Sequence, residues 1–177
     1  NIQVGLSQIN NSYSEQNYFP LAVGMLQAYA SEHLTRPKLY NFSLPLYRRM
    51  PIEEAVHHLD DSNVVFFSIY VWNYQISLEI ARHLKIRSPE TLIVFGGPHV
   101  PNRSESFLNR NRFIDLACHG EGELVGTAIL EHCQSRDWTS VPGVSFLSKD
   151  GHLIQNPKGP RIESLTDVPS PYLNGIF

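Results

Sequence analysis

Short, continuously apolar runs alternate with stretches of helical periodicity along this chain, and few architectures accommodate that pattern. Asn63-Val-Val-Phe-Phe-Ser68-Ile69-Tyr70 and Thr91-Leu-Ile-Val-Phe95 are of strand length and show no inside–outside alternation, as strands buried on both faces do. Ile2 to Ser7, Lys38 to Phe42 and Ile114 to Cys118 read as further strands. Between and after them lie helical segments. One opens at Pro20 and carries apolar residues at 21, 25, 26, 29 and 30, running to Glu32. The others cover Pro51 to Leu59, Ile76 to Arg87, a brief helix at Ser104 to Asn109, and Leu124 to Gln134. Gly24 inside the first helix is locally unfavourable and is expected to let that helix approach its sheet or a ligand. Five β-α units specify a Rossmann-like parallel sheet of five strands with helices on both faces. With right-handed crossovers, the flavodoxin-like order 2-1-3-4-5 is expected, with its switch point between the first and third strands. The loops after the first, third, fourth and fifth strands then converge on one crevice.

The pattern changes after Trp138. Val141 to Phe146 and Leu153 to Gln155, joined across Asp150-Gly151, carry the signature of a β-hairpin. From Pro157 to Pro171 the chain is proline-rich and is expected to span rather than pack. Residues 1–138 are therefore read as the Rossmann-like domain, and residues 139–177 as a hairpin and connector to something beyond Phe177. The first strand begins almost at Asn1, so a trimmed native start is also expected.

Of the 177 residues, 42% are apolar and 18% charged, which is ample material for a core. A net charge of −3 with scattered cations gives no footprint for nucleic acid. No apolar run approaches the roughly 18–20 residues of a membrane span, and no signal peptide is visible, so a cytoplasmic setting is expected. Cys118 and Cys133 are spaced for neither a zinc site nor a thioredoxin motif and read as small buried residues.

Two loops at strand ends concentrate the polar chemistry. Gly96-Gly97-Pro98-His99-Val100 follows the fourth strand, and His119-Gly120-Glu121-Gly122-Glu123 follows the fifth. Glycines let a ligand approach the backbone, and Glu121 and Glu123 suit the start of a helix. After the third strand, Tyr70, Trp72 and Tyr74 favour the edge of a flat ligand. No phosphate loop and no Gly-x-Gly-x-x-Gly is present. His99, His119, Glu121 and Glu123 are competent metal ligands, which leaves a metal-dependent hydrolase as an alternative.

Ser68-Ile-Tyr-Val-Trp-Asn, Phe95-Gly-Gly-Pro-His-Val and His119-Gly-Glu-Gly-Glu, in that order, resemble the N-terminal cobalamin-binding domain of cobalamin-dependent radical S-adenosylmethionine enzymes. The tail Ile162-Glu-Ser-Leu-Thr-Asp-Val-Pro-Ser-Pro-Tyr-Leu173 is similar to the connector that precedes their radical barrel. The resemblance implies a domain that holds cobalamin with its nucleotide tail buried in the fold. Ser68 would stand near the base of the tail, and Gly96 and Gly97 would let the tail pass. Tyr70, Trp72, Val100, Gly120 and Gly122 would be further contacts, with His99, Glu121 and Glu123 as polar anchors at the rim. The Asp-x-His-x-x-Gly motif that supplies a lower-face histidine in other cobalamin proteins is missing between Gln8 and Gly24. That leaves cobalt without a protein histidine and makes Tyr18, Phe19 and Leu21 the candidates, by position, for the lower face. The family's Cys-x-x-x-Cys-x-x-Cys is also absent. The iron–sulfur cluster and S-adenosylmethionine would then belong to the barrel of a longer enzyme. The same fold without its cofactor, serving as an interaction or sensor module, is the other alternative.

Overall fold

The computed structural model describes residues 1–177 and builds one seven-stranded sheet between two helical layers. In chain order the elements are β1 (Ile2–Ser7), β2 (Ser12–Tyr13), β3 (Gln16–Asn17), α1 (Leu21–His33), β4 (Tyr40–Phe42), α2 (Ile52–Leu59) and β5 (Val64–Ser68). There follow α3 (Tyr74–Arg87), β6 (Leu92–Gly96), α4 (Glu105–Arg110), β7 (Leu116–Cys118), α5 (Gly122–His132), β8 (Val144–Leu147) and β9 (Leu153–Gln155). The strand order is β4-β1-β5-β6-β7-β8-β9. Its first five members are all parallel and follow the expected 2-1-3-4-5 arrangement.

Side-chain alternation along the strands divides the core in two. Val64 and Phe66, Leu92 and Val94, and Leu116 pack against α1 and α5. Val65 and Phe67, Ile93 and Phe95, and Ala117 pack against α2, α3 and α4. Because both faces are covered, β5 and β6 need apolar residues at every position, which is the continuous pattern seen in the sequence. Register pairs Ser68 with Gly96, and Phe95 with Ala117. Ser68, Gly96 and Cys118 therefore form a row of small side chains on the α1/α5 face, at the carboxyl ends of three adjacent strands.

Three features depart from the sequence reading. The hairpin, read from the sequence as lying outside the five-stranded domain, extends its sheet, β8 pairing antiparallel with β7 through Ala117↔Ser145 and Cys118↔Val144. Val141 and Val144 are fully buried in the α1/α5 core, so the hairpin covers what would otherwise be an open edge. The loop after β1 holds its own small hairpin, β2–β3, turned through Ser14 and Glu15 at φ 51° and 65°. That turn requires left-handed backbone usually supplied by Asn and Gly, so nothing in its sequence signals it. Finally, the end of the tail packs. Phe177 stacks on Phe19 at 5.3 Å, and Tyr172 meets both rings edge-on. Asn174 donates to Glu32 Oε1 at 3.0 Å. Gly24 serves this contact rather than a ligand or the sheet, since a Cβ there would collide with the Phe177 ring. No helix is long and apolar enough to cross a membrane.

Candidate functional site

A cleft opens between the α1/α5 layer and the carboxyl ends of β5, β6 and β7. Its empty volume, counted out to its open mouth, is ≈ 750 Å³. The sheet supplies the floor, with Phe66 and Val94 deep and the row Ser68, Gly96 and Cys118 above them. Helix α1 contributes Ala22, Val23 and Leu26, and α5 contributes Gly122, Glu123 and Gly126. The helices lie close: a Cβ at Gly126 would come within 2.8 Å of Leu26 Cδ1. Cys118 is half-buried on the cleft floor, and desolvation by the surrounding protein pushes its thiol up to about 12, leaving it protonated and unsuited to attack or metal binding.

The glycines of the two loops have different reasons. Gly97 has φ +100°, and a Cβ there would lie 2.7 Å from the Ile69 carbonyl oxygen and 2.8 Å from its nitrogen. It lets two loops of the protein pack, whatever the cleft holds. At Gly122 a Cβ would meet nothing within 4 Å, and at Gly96 only Cys118 Cβ at 3.6 Å. Gly120 combines φ +96° with open space around it. These three keep the cleft wide, with no packing partner of their own to satisfy.

Beside the cleft mouth lies a more open aromatic hollow lined by Gln8, Asn10, Tyr18, Phe19, Tyr70 and Trp72. Tyr70 belongs to both spaces and stacks on Trp72 at 4.6 Å and 11°. Buried amides fix this region. Asn73, fully buried, donates to the carbonyls of Ile9 and Ser68 at 3.0 Å each and accepts from Tyr70 N at 2.8 Å. It thereby ties the loop after β1 to the loop after β5. Asn10 Nδ2 donates to the carbonyls of Tyr18 and Phe19 at 3.1 and 3.2 Å, and Gln8 Oε1 accepts from Val23 N at 3.2 Å. Arg49 Nη2 donates to the Trp72 carbonyl at 2.6 Å.

Of the residues singled out in the sequence, Ser68, Tyr70, Gly96, Gly97, Gly120, Gly122 and Glu123 line the cleft, while Tyr18, Phe19 and Trp72 line the hollow. Val100 sits in a side hollow with Gly97, Pro98, Gly120 and Lys158. Leu21 lines neither main space and is 44% exposed. His99 is exposed and packs edge-on against Tyr74 at 4.8 Å. Glu121 points toward the tail, accepting from Ile162 N at 2.7 Å. His119 is buried between Ser104 Oγ at 3.1 Å and Ser145 Oγ at 2.9 Å. Desolvation, helped by the nearby charge of Lys158, pushes its pKa down, so it is neutral at neutral pH. His99, His119, Glu121 and Glu123 thus do not converge, and no group of three or more potential ligands could hold a metal ion. The hydrolase alternative is overturned.

Sequence reasoning missed Asn73, although it ends one of the motifs. It also missed Gln8 and Asn10, the α1 wall at Ala22, Val23 and Leu26, and Lys158. Their roles depend on contacts between distant segments, and only the helical stripe containing Leu26 left a trace in the pattern.

A family model described as the B12 binding domain matches residues 8–130. The cobalamin-dependent radical SAM methyltransferase TokK of Streptomyces tokunonensis is 35% identical over 169 residues, covering 93% of this chain and 24% of that protein. The 2-(S-pantetheinyl)-carbapenam-3-carboxylate methyltransferase of Streptantibioticus cattleyicolor is 34% identical over 162 residues, covering 90% of this chain and 24% of the relative. The chain thus spans about a quarter of the length of these curated relatives. Among solved structures, the cobalamin-dependent S-adenosylmethionine radical enzyme OxsB with aqua-cobalamin and S-adenosylmethionine bound superposes with a TM-score of 0.70 at 20% identity, covering 99% of this chain and 25% of that one. The radical S-adenosylmethionine methyltransferase TsrM from Kitasatospora setae, with cobalamin and a 4Fe-4S cluster bound, gives 0.65 at 14% identity, covering 95% of this chain and 31% of that one. At these identities the structural likeness establishes the fold.

Proposed function

This chain belongs to the B12-binding domain family, and on that premise we propose that it holds cobalamin as the corrin-carrying part of a radical S-adenosylmethionine enzyme. The observation that carries the proposal is the cleft itself, kept wide by Gly96, Gly120 and Gly122, whose missing side chains would project into otherwise open space. The donor set fits such a group: an apolar floor of Phe66 and Val94 for a flat base, Ser68 and Glu123 as hydrogen-bonding partners, and a separate aromatic hollow for a macrocycle. Ser68, Gly96, Gly120, Gly122 and Glu123 would hold the nucleotide tail, and Tyr18, Phe19, Tyr70 and Trp72 would support the ring. Bound there, cobalamin supplies a cobalt centre competent to carry a methyl group, while this chain positions it and excludes water.

The lower face of cobalt carries no histidine from this chain in the proposed complex. In support, no histidine lies between Gln8 and Gly24, His99 rests on Tyr74, and His119 is enclosed by Ser104 and Ser145. The cleft and the hollow are lined from residues 1–138, and residues 139–177 lead to a barrel that carries the iron–sulfur cluster and S-adenosylmethionine and performs methyl transfer. A cofactor-free interaction module would be favoured by a cleft filled with side chains, and the cleft is open.

Incubation with hydroxocobalamin followed by gel filtration tests the proposal, with corrin absorbance expected to co-elute with the protein. Reduction to the cobalt(II) state then reports the coordination. Paramagnetic resonance without nitrogen splitting from a lower ligand agrees with the reading, and a nitrogen-split signal that persists with cobinamide, which lacks the nucleotide base, contradicts the histidine-free face.

A further inference from the structure

Lys158 lies outside the motifs that define the site, yet the fold fixes its backbone from both sides. Gly143 N donates to the Pro157 carbonyl at 2.8 Å, and Ile162 N donates to Glu121 Oε2 at 2.7 Å. Gly159 lies so near Pro142 that a Cβ there would come within 3.2 Å of the proline ring. The Lys158 side chain faces the hollow formed by Gly97, Pro98, Val100, Asn102 and Gly120, where it makes neither an ion pair nor a hydrogen bond. Glu121, the carboxylate beside it, is engaged by the Ile162 amide. His119, the nearest imidazole, is held by two serine hydroxyls, and the lysine's charge helps to keep it neutral. Lys158 is exposed at the rim of this hollow and is the one charged side chain among its lining residues, so the hollow favours an anion.

The hollow shares Gly97, Pro98, Cys118 and Gly120 with the cleft, so an anionic group on a ligand in the cleft meets Lys158 at that common wall. Among the parts of a cobalamin, the carboxamides, ribose and base are uncharged, and the phosphodiester joining corrin to nucleotide is the anion. Glu123, on the α5 wall, suits hydrogen-bond donors instead. We propose that Lys158 provides the counter-charge for this phosphodiester, making the connector after the hairpin part of the cofactor site. The inference rests on the cofactor reading above and deepens it.

The test titrates hydroxocobalamin and cobinamide, which keeps the corrin but lacks the phosphodiester and nucleotide, into the full chain as wild type, Lys158→Gln and Lys158→Arg. Cobalamin affinity is expected to fall roughly three- to tenfold in Lys158→Gln, as for loss of one partly exposed charged hydrogen bond, and to hold in Lys158→Arg. The difference should shrink as salt is raised. Cobinamide affinity is expected to be the same in all three proteins. Unchanged cobalamin affinity in Lys158→Gln overturns the inference, as does an equal loss for cobinamide. A wild-type chain that binds neither corrin overturns the cofactor reading itself, and the inference falls with it.

Discussion

At the scale of single residues, the glycines divide into those the protein needs and those a ligand needs. Gly97→Ala forces a Cβ against the backbone of Ile69 at a φ of +100°, so it is expected to destabilise the fold by about 2–4 kcal/mol, read as a lowered denaturation midpoint. Gly122→Leu has no such neighbour and is expected to change stability little. The sequence presented both glycines in similar loops, and nothing local separated them, because the reason for Gly97 lies in the loop after another strand. Asn73 makes the same point: it stands in a visible motif, but its bonds to Ile9 and Ser68 bridge two loops. His119 was legible as a polar residue at a strand end, though not as a buried one. Its pKa is lowered in the folded state from 6.5, so the unfolded chain binds the proton more readily. Its contribution to stability is therefore present above pH 6.5 and is lost as pH falls from 6.5 toward the lower folded value. His119→Gln is expected to flatten that part of a stability–pH profile measured by denaturant titration.

At the scale of elements, the five β-α units were readable because burial on both faces or on one stripe leaves a period in the sequence. β2–β3 was not, since its turn places Ser14 and Glu15 in left-handed backbone. The double substitution Ser14→Asn with Glu15→Gly is expected to stabilise the protein by about 0.5–1 kcal/mol, measured as a raised denaturation midpoint. Nor could the sequence show where the hairpin would dock, because the pairing partner of a strand is not encoded in the strand alone. The last turn of the tail is a similar case. Helix α1 buries Val23, Leu26 and Ala30 against the sheet, while Gly24 receives the ring of Phe177 on another side. The apolar stripe marked the helix itself, but nothing in it marked the second side that the tail covers. Phe177→Ala is expected to cost about 1–2 kcal/mol and to raise hydrogen exchange along the outer side of α1, without closing the cleft.

At the scale of the whole molecule, two helical layers cover the central strands of the sheet except at their carboxyl ends. There Ser68, Gly96 and Cys118 leave the floor low, α1 and α5 form the walls, and the Tyr70–Trp72 stack begins a second, aromatic surface. The motifs located this opening in the sequence, but the side chains that hold it in shape come from every loop around it. The direct measurement is a pair of hydroxocobalamin titrations, on wild type and on Gly122→Leu, followed by the corrin absorbance and accompanied by a thermal melt of each. The account predicts binding by the wild type, loss of at least an order of magnitude in affinity for Gly122→Leu, and matching melts. Equal affinities in two equally stable proteins would contradict the claim that this cleft holds the cofactor.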